Sequence, residues 1–128
     1  MKIWLDDQLD DPETPVRHTP EGWIGAKTSS EFKKIVEDAL EKGESIEAIS
    51  FDNDLGEKVE GRHLVKWLQE QHPEIIELNP EIELEVHSAN NVAGPEMKRE
   101  LEILRRHHKE LIEAKNKPHP FEGEIKIK

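Results

Sequence analysis

The chain has 128 residues, 29 of them acidic and 18 basic, for a net charge of −11, and it contains no cysteine. That length suits one domain with a sizeable core, the charge repels the phosphates of duplex DNA, and the lack of thiols excludes disulfides, zinc ribbons and cysteine chemistry. No apolar stretch approaches the roughly 20 residues of a membrane span, and Met1-Lys2-Ile3-Trp4-Leu5-Asp6-Asp7 turns acidic too early for a signal peptide, so a cytoplasmic protein without a membrane partner is expected.

Lys2–Leu5 reads as a short buried strand that ends in Asp6-Asp7. From Asp10 to Gly22 the chain holds Pro12, Pro15 and Pro20 and no helical period, which predicts a loop. Trp23–Lys27 is a candidate strand. Thr28 then stands three residues before Glu31, the spacing of a capping box. Phe32, Ile35, Val36, Ala39 and Leu40 follow at helical intervals until Gly43 stops the helix. Ile46–Phe51 is a further strand, leading into Asp52-Asn53-Asp54-Leu55-Gly56.

After a charged loop, Gly61 opens a helix marked by Leu64, Val65, Trp67 and Leu68 and ended by Pro73. Ile82–Val86 alternates apolar and acidic residues, which predicts a strand with one wet face, and it runs into His87-Ser88-Ala89-Asn90. Gly94-Pro95 is predicted to begin the last helix, with proline at its first position. Met97, Leu101, Leu104, Leu111 and Ile112 trace its apolar stripe. Arg105, Arg106, His107, His108 and Lys109 fall towards its end, where cations suit the helix dipole. The tail carries Pro118 and Pro120 and finishes with Glu124–Lys128, an edge strand or a frayed end. A single domain over 1–128 is expected, with its core over about 1–115 and a tail over 116–128.

Strands alternating with helices predict an α/β fold around a mostly parallel sheet. Ligands of such sheets bind beyond the carboxyl ends of the strands. Three strands here end in polar residues: Asp6 and Asp7, then Asp52 and Asp54, then His87, Ser88 and Asn90. Parallel strands bring these sets to one edge. An aspartate at a strand end is commonly a turn former, but three convergent sets favour a site. Crowded carboxylates raise each other's pKa, and a cation relieves the repulsion. Oxygen ligands of this kind suit Mg²⁺, or Mn²⁺, together with a phosphate oxygen. Asp6, Asp7, Asp52 and Asp54 are therefore candidate metal ligands. Arg62 and His63, beside Gly61, are candidates for holding a substrate phosphate.

The order of Asp-Asp, Asp and a hydroxyl residue after successive strands resembles the receiver domain of two-component response regulators. Lys2-Ile3-Trp4-Leu5-Asp6-Asp7, Pro20-Glu21-Gly22-Trp23, Phe51-Asp52-Asn53-Asp54-Leu55-Gly56 and His87-Ser88-Ala89-Asn90 together resemble a divergent branch, the cyclic-phosphate-processing receiver domain, over about residues 1–105. The resemblance implies a reduced receiver-like (flavodoxin-like) fold of three or two layers, with the first helix replaced by the Asp10–Gly22 loop. It implies that Asp6 and Asp7 hold Mg²⁺, that Asp52 occupies the phosphoacceptor position, that Asp54 offers a backbone carbonyl to the metal, and that Ser88 binds a phosphoryl oxygen. Asn53 stands where that family often has histidine. No lysine stands clearly at the position where ordinary receivers carry their signalling lysine.

The resemblance implies Mg-dependent phosphoester chemistry on a small nucleotide with a cyclic phosphate, or on an RNA end. Asp52, His87 and Ser88 would be catalytic and Asn90 would hydrogen-bond the phosphoryl group. His87 would carry a proton, and a covalent variant would make Asp52 the nucleophile. Two alternatives stand beside this: a non-catalytic phosphate- or nucleotide-binding regulatory module, and a haloacid-dehalogenase-like phosphatase in which Asp52 and Asp54 form an Asp-x-Asp loop. A calcium loop of the EF-hand type is excluded, because Gly56 falls one position early and the segment follows a strand. A homodimer through the sheet face left bare by the missing helix is a further expectation.

Overall fold

The computed structural model describes residues 1–9, 18–88 and 91–117. Its elements, in chain order, are β1 (Lys2–Leu5), β2 (Ile24–Ala26), α1 (Ser29–Lys42), β3 (Ala48–Phe51), α2 (Gly61–Gln71), α3 (Ile75–Leu78), β4 (Glu83–Val86) and α4 (Ala93–Asn116). The four strands form one all-parallel sheet in the order β2-β1-β3-β4. This is the α/β receiver-like architecture expected from the sequence.

The register shows how the sheet divides its residues. Ile3, Ile49 and Leu84 lie side by side, as do Leu5, Phe51 and Val86. All six belong to or pack against one hydrophobic core with Phe32 and Val36 of α1, Leu64 and Leu68 of α2, and Met97, Leu101 and Leu104 of α4. These three helices thus bury their apolar stripes against a single face, and the described residues form two layers. The intervening row, Trp4, Ser50 and Glu85, points to the opposite face because strand side chains alternate.

Part of the segment after β1 covers that second face. Trp23 meets Trp4 edge-on with centroids 5.5 Å apart. Leu9 and Thr19 press on β2 so closely that a Cβ at Gly25 would lie 2.9 Å from Leu9 Cδ1 and 2.5 Å from Thr19 Oγ1. The predicted loop is irregular where it is described, over 18–22; residues 10–17 of it lie outside the described residues, as does the predicted tail strand. Glu83 and Glu85 are exposed, as the alternation of β4 predicted.

Local signals account for both ends of α1. Thr28 caps α1 by accepting from the Glu31 N–H at 3.1 Å. The Glu31 carboxylate reaches back one residue further than a capping box requires, to the Lys27 N–H at 2.8 Å. Gly43, at φ +72°, donates to Ala39 and Leu40 and closes the helix. Three expectations need correction. The short helix α3 was not foreseen, since one turn is too brief to show a period. The last helix begins at Ala93, which places Pro95 third; a proline is tolerated there because the first four N–H groups have no intrahelical partner. That stretch also runs on to Asn116 across a kink at His107, so the basic cluster lies at this break between two helical segments and not in the last turn. Arg105 instead donates to the Pro80 and Ile82 carbonyls at 3.1 and 2.5 Å, fastening the entry to β4. No described helix is long and apolar enough to cross a membrane.

Candidate functional site

Asp6, Asp52 and His87 are each the first residue past a strand, and each is still held on the sheet ladder. Their N–H groups donate to Ala26, Leu5 and Phe51 carbonyls at 3.0, 3.1 and 2.9 Å. Leu5, Phe51 and Val86 before them face the core, so alternation turns the three side chains to the opposite, Trp4–Ser50 side. One ligand atom from each lies within 4.8 Å of the others. The group straddles β1 and β3, where the strand order reverses direction, the place at which such sheets bind ligands.

The two carboxylates are largely withdrawn from water, Asp6 at 3% and Asp52 at 8% exposure. Asp6 Oδ1 accepts from the Gln8 N–H at 2.9 Å. Burial, then the neighbouring Asp6 and to a lesser degree Asp7, push the Asp52 carboxyl up from 3.8 to about 6, against the pull of the Asp54 and Asn53 N–H groups. This is the electrostatic state a bound cation relieves. His87 is fixed on two sides. Its ring stacks on Trp4 at 4.1 Å and 10°, and its Nδ1 is hydrogen-bonded to the buried Ser50 hydroxyl at 2.7 Å. Nε2 therefore faces the carboxylates, 3.7 Å from Asp6 Oδ2.

The segment that follows Asp52 is tied back to it. Asn53, 2% exposed, accepts from the Arg62 N–H at 3.1 Å and donates towards Glu60 Oε2 at 3.3 Å. The Gly61 N–H donates to the Asn53 carbonyl at 2.9 Å. A Cβ at Gly61 would sit 1.9 Å from the Asp52 carbonyl oxygen, so only glycine lets α2 start this close to the site. Leu55 is buried, Gly56 turns with φ +67°, and the Ser29 hydroxyl donates to Glu57, anchoring the loop to α1.

Of the residues singled out in the sequence, Asp6, Asp52 and His87 come together. Asp7 is half-buried beside the Gly56 turn and Asp54 is exposed; neither belongs to the group of three. Ser88 follows His87 and is half-buried, while Asn90 lies outside the described residues. Arg62 pairs with Glu60 at 3.0 Å, and His63 Nδ1 accepts from the Glu60 N–H at 2.8 Å. These two residues line a groove between α2 and α4, with Arg62 also bordering a depression beside Asn53 and Asp54. Sequence reasoning missed Trp4, Ser50 and Gly61 as supporting residues. The signal for the first two was present: in strand alternation they share a face with the residue that ends their strand.

An all-parallel sheet with acidic residues ending β1 and β3 on its carboxyl edge defines a receiver-like domain. The family model of the cyclic-phosphate processing receiver domain matches residues 1–103, and the chain belongs to that family. No curated protein and no solved structure matches the chain. Family membership displaces the haloacid-dehalogenase reading.

Proposed function

We propose that this domain opens a cyclic phosphate on a small nucleotide or an RNA end, with a divalent cation at the Asp6–Asp52 edge. The observation that carries this reading is the convergence of Asp6, Asp52 and His87 within 4.8 Å, in a chain of the cyclic-phosphate processing family. Two buried carboxylates side by side, with Asp6 helping to push the Asp52 carboxyl up, fit a divalent ion. Such an ion, when bound, polarises a phosphoryl oxygen and acidifies water.

The reaction adds water across one P–O bond of the ring, leaving a phosphomonoester and a free hydroxyl. Asp6 and Asp52 supply the negative charge that holds the ion. Ser88 and Asn90 are proposed to hydrogen-bond a phosphoryl oxygen. With Nδ1 committed to Ser50, His87 has a single atom, Nε2, facing the site. That nitrogen carries a proton or binds the ion, but does not do both at once.

Phosphorus NMR of cyclic mononucleotides and of RNA ending in a cyclic phosphate, with Mg²⁺ or Mn²⁺, tests the reading. Conversion to the monoester is expected for the wild type, with loss in Asp52→Asn. A protein that binds these phosphates and leaves them intact would refute catalysis and support the regulatory-module alternative.

A further inference from the structure

We infer that His87 is a metal ligand through Nε2, and that the carboxyl-edge site therefore favours a first-row transition ion over Mg²⁺. This rests on the cation-site part of the proposed function and names the ion class that site selects.

The hydrogen-bond pattern around the imidazole is that of a ligating histidine. Such residues usually anchor the nitrogen that does not bind metal on a neighbouring acceptor, which fixes the tautomer. Here Nδ1 lies 2.7 Å from Ser50 Oγ. The inferred tautomer has Nδ1–H donating to that hydroxyl, which leaves the Nε2 lone pair facing Asp6 and Asp52. The Trp4 ring, stacked at 4.1 Å, prevents the imidazole from turning away.

The spacing suits a shared ion better than a direct histidine–aspartate bond. At 3.7 Å, Nε2 and Asp6 Oδ2 are beyond hydrogen-bonding distance. Two donors bound at about 2.1 Å to one ion are about 3.0 Å apart when adjacent and about 4.2 Å apart when opposite. The 4.8 Å span of the three donor atoms needs only a small closure to meet this. A set of two carboxylate oxygens and one imidazole nitrogen differs chemically from an all-oxygen set. Mg²⁺ prefers oxygen and retains water, whereas imidazole suits Zn²⁺, Fe²⁺ and their neighbours, with Mn²⁺ the weakest of that row. His87 thus gives the site a nitrogen that Mg²⁺ uses poorly.

The experiment uses Mn²⁺ as a paramagnetic probe on the full chain. Pulsed EPR of the Mn²⁺-loaded wild type is expected to show nitrogen hyperfine modulation from a coordinated imidazole. In His87→Gln the modulation should vanish, and Mn²⁺ affinity should fall by about tenfold or more, while Mg²⁺ affinity measured by competition changes little. Mn²⁺ bound without nitrogen modulation overturns the inference and leaves the carboxylate site standing. So does a Mn²⁺-to-Mg²⁺ preference unchanged in His87→Gln. The wild-type spectrum decides the matter even where the variant fails to fold. Absence of any Mn²⁺ binding, by contrast, would remove the cation site itself and the proposed function with it.

Discussion

Asp52 is placed where function and stability pull in opposite directions. Burial and the adjacent Asp6 push its carboxyl up to about 6 in the folded chain, from an ordinary 3.8. Below about pH 4 the group is protonated in both states and has no effect on folding. Between about pH 4 and pH 6 the unfolded chain ionises first, so stability falls as pH rises; above about pH 6 the full penalty applies. Each pH unit by which a pKa moves is worth about 1.4 kcal/mol, which makes the penalty about 3 kcal/mol.

Replacing the carboxylate by an amide, Asp52→Asn, removes this charge but accepts less strongly from the Asn53 and Asp54 N–H groups. A net gain of about 2 kcal/mol is then expected at pH 7 in EDTA, on the order of 8 °C in melting temperature for a chain of this size. Excess divalent ion should reverse the ranking. At 100 times its dissociation constant an ion stabilises the wild type by about 2.7 kcal/mol, and the variant by much less. The assay is thermal melting followed by circular dichroism from about pH 4 to pH 8, with EDTA and with Mn²⁺. A variant less stable than the wild type at pH 7 in EDTA, or one with the same pH profile, would refute the reasoning.

Three further substitutions probe the supporting structure. Gly61→Ala drives a methyl group into the Asp52 carbonyl and should cost about 2–4 kcal/mol in urea denaturation, with Mn²⁺ affinity falling in parallel; near-wild-type values for both would show that α2 does not hold Asp52 in place. Ser50→Ala removes the hydroxyl that meets His87 Nδ1, with an expected loss of about 1 kcal/mol and about tenfold or more in Mn²⁺ affinity by calorimetry. Thr28→Ala removes the α1 cap without touching any of the three candidate ligands; about 1 kcal/mol of stability should go, while calorimetric Mn²⁺ affinity stays unchanged.

The parts legible in the sequence were those written in short-range chemistry. The Thr28 cap and the Gly43 stop bound α1 because each satisfies orphan backbone groups within a few residues. Asp6, Asp52 and His87 could be brought together from sequence because a parallel sheet delivers all strand ends to one edge. What separated Asp6 from Asp7, and Asp52 from Asp54, was not legible. Adjacent residues in an extended chain point opposite ways, so whether Asp6 or Asp7 faces the site depends on where β1 ends; Asp54 lies in the loop beyond β3, where strand alternation no longer sets direction. The structural duty of Asn53 was also hidden, since its partners Glu60 and Arg62 are brought near by the loop's closure. The role of Gly61 was hidden for a similar reason: its need for glycine arises from contact with the Asp52 backbone, which no local pattern records.

The most direct measurement is anomalous diffraction from crystals of the full chain soaked in Mn²⁺. A single strong peak within bonding distance of Asp6, Asp52 and His87 Nε2 is the predicted result. No peak at the carboxyl edge, or a peak held elsewhere with these three side chains unmoved, would contradict the assignment of this edge as the working site.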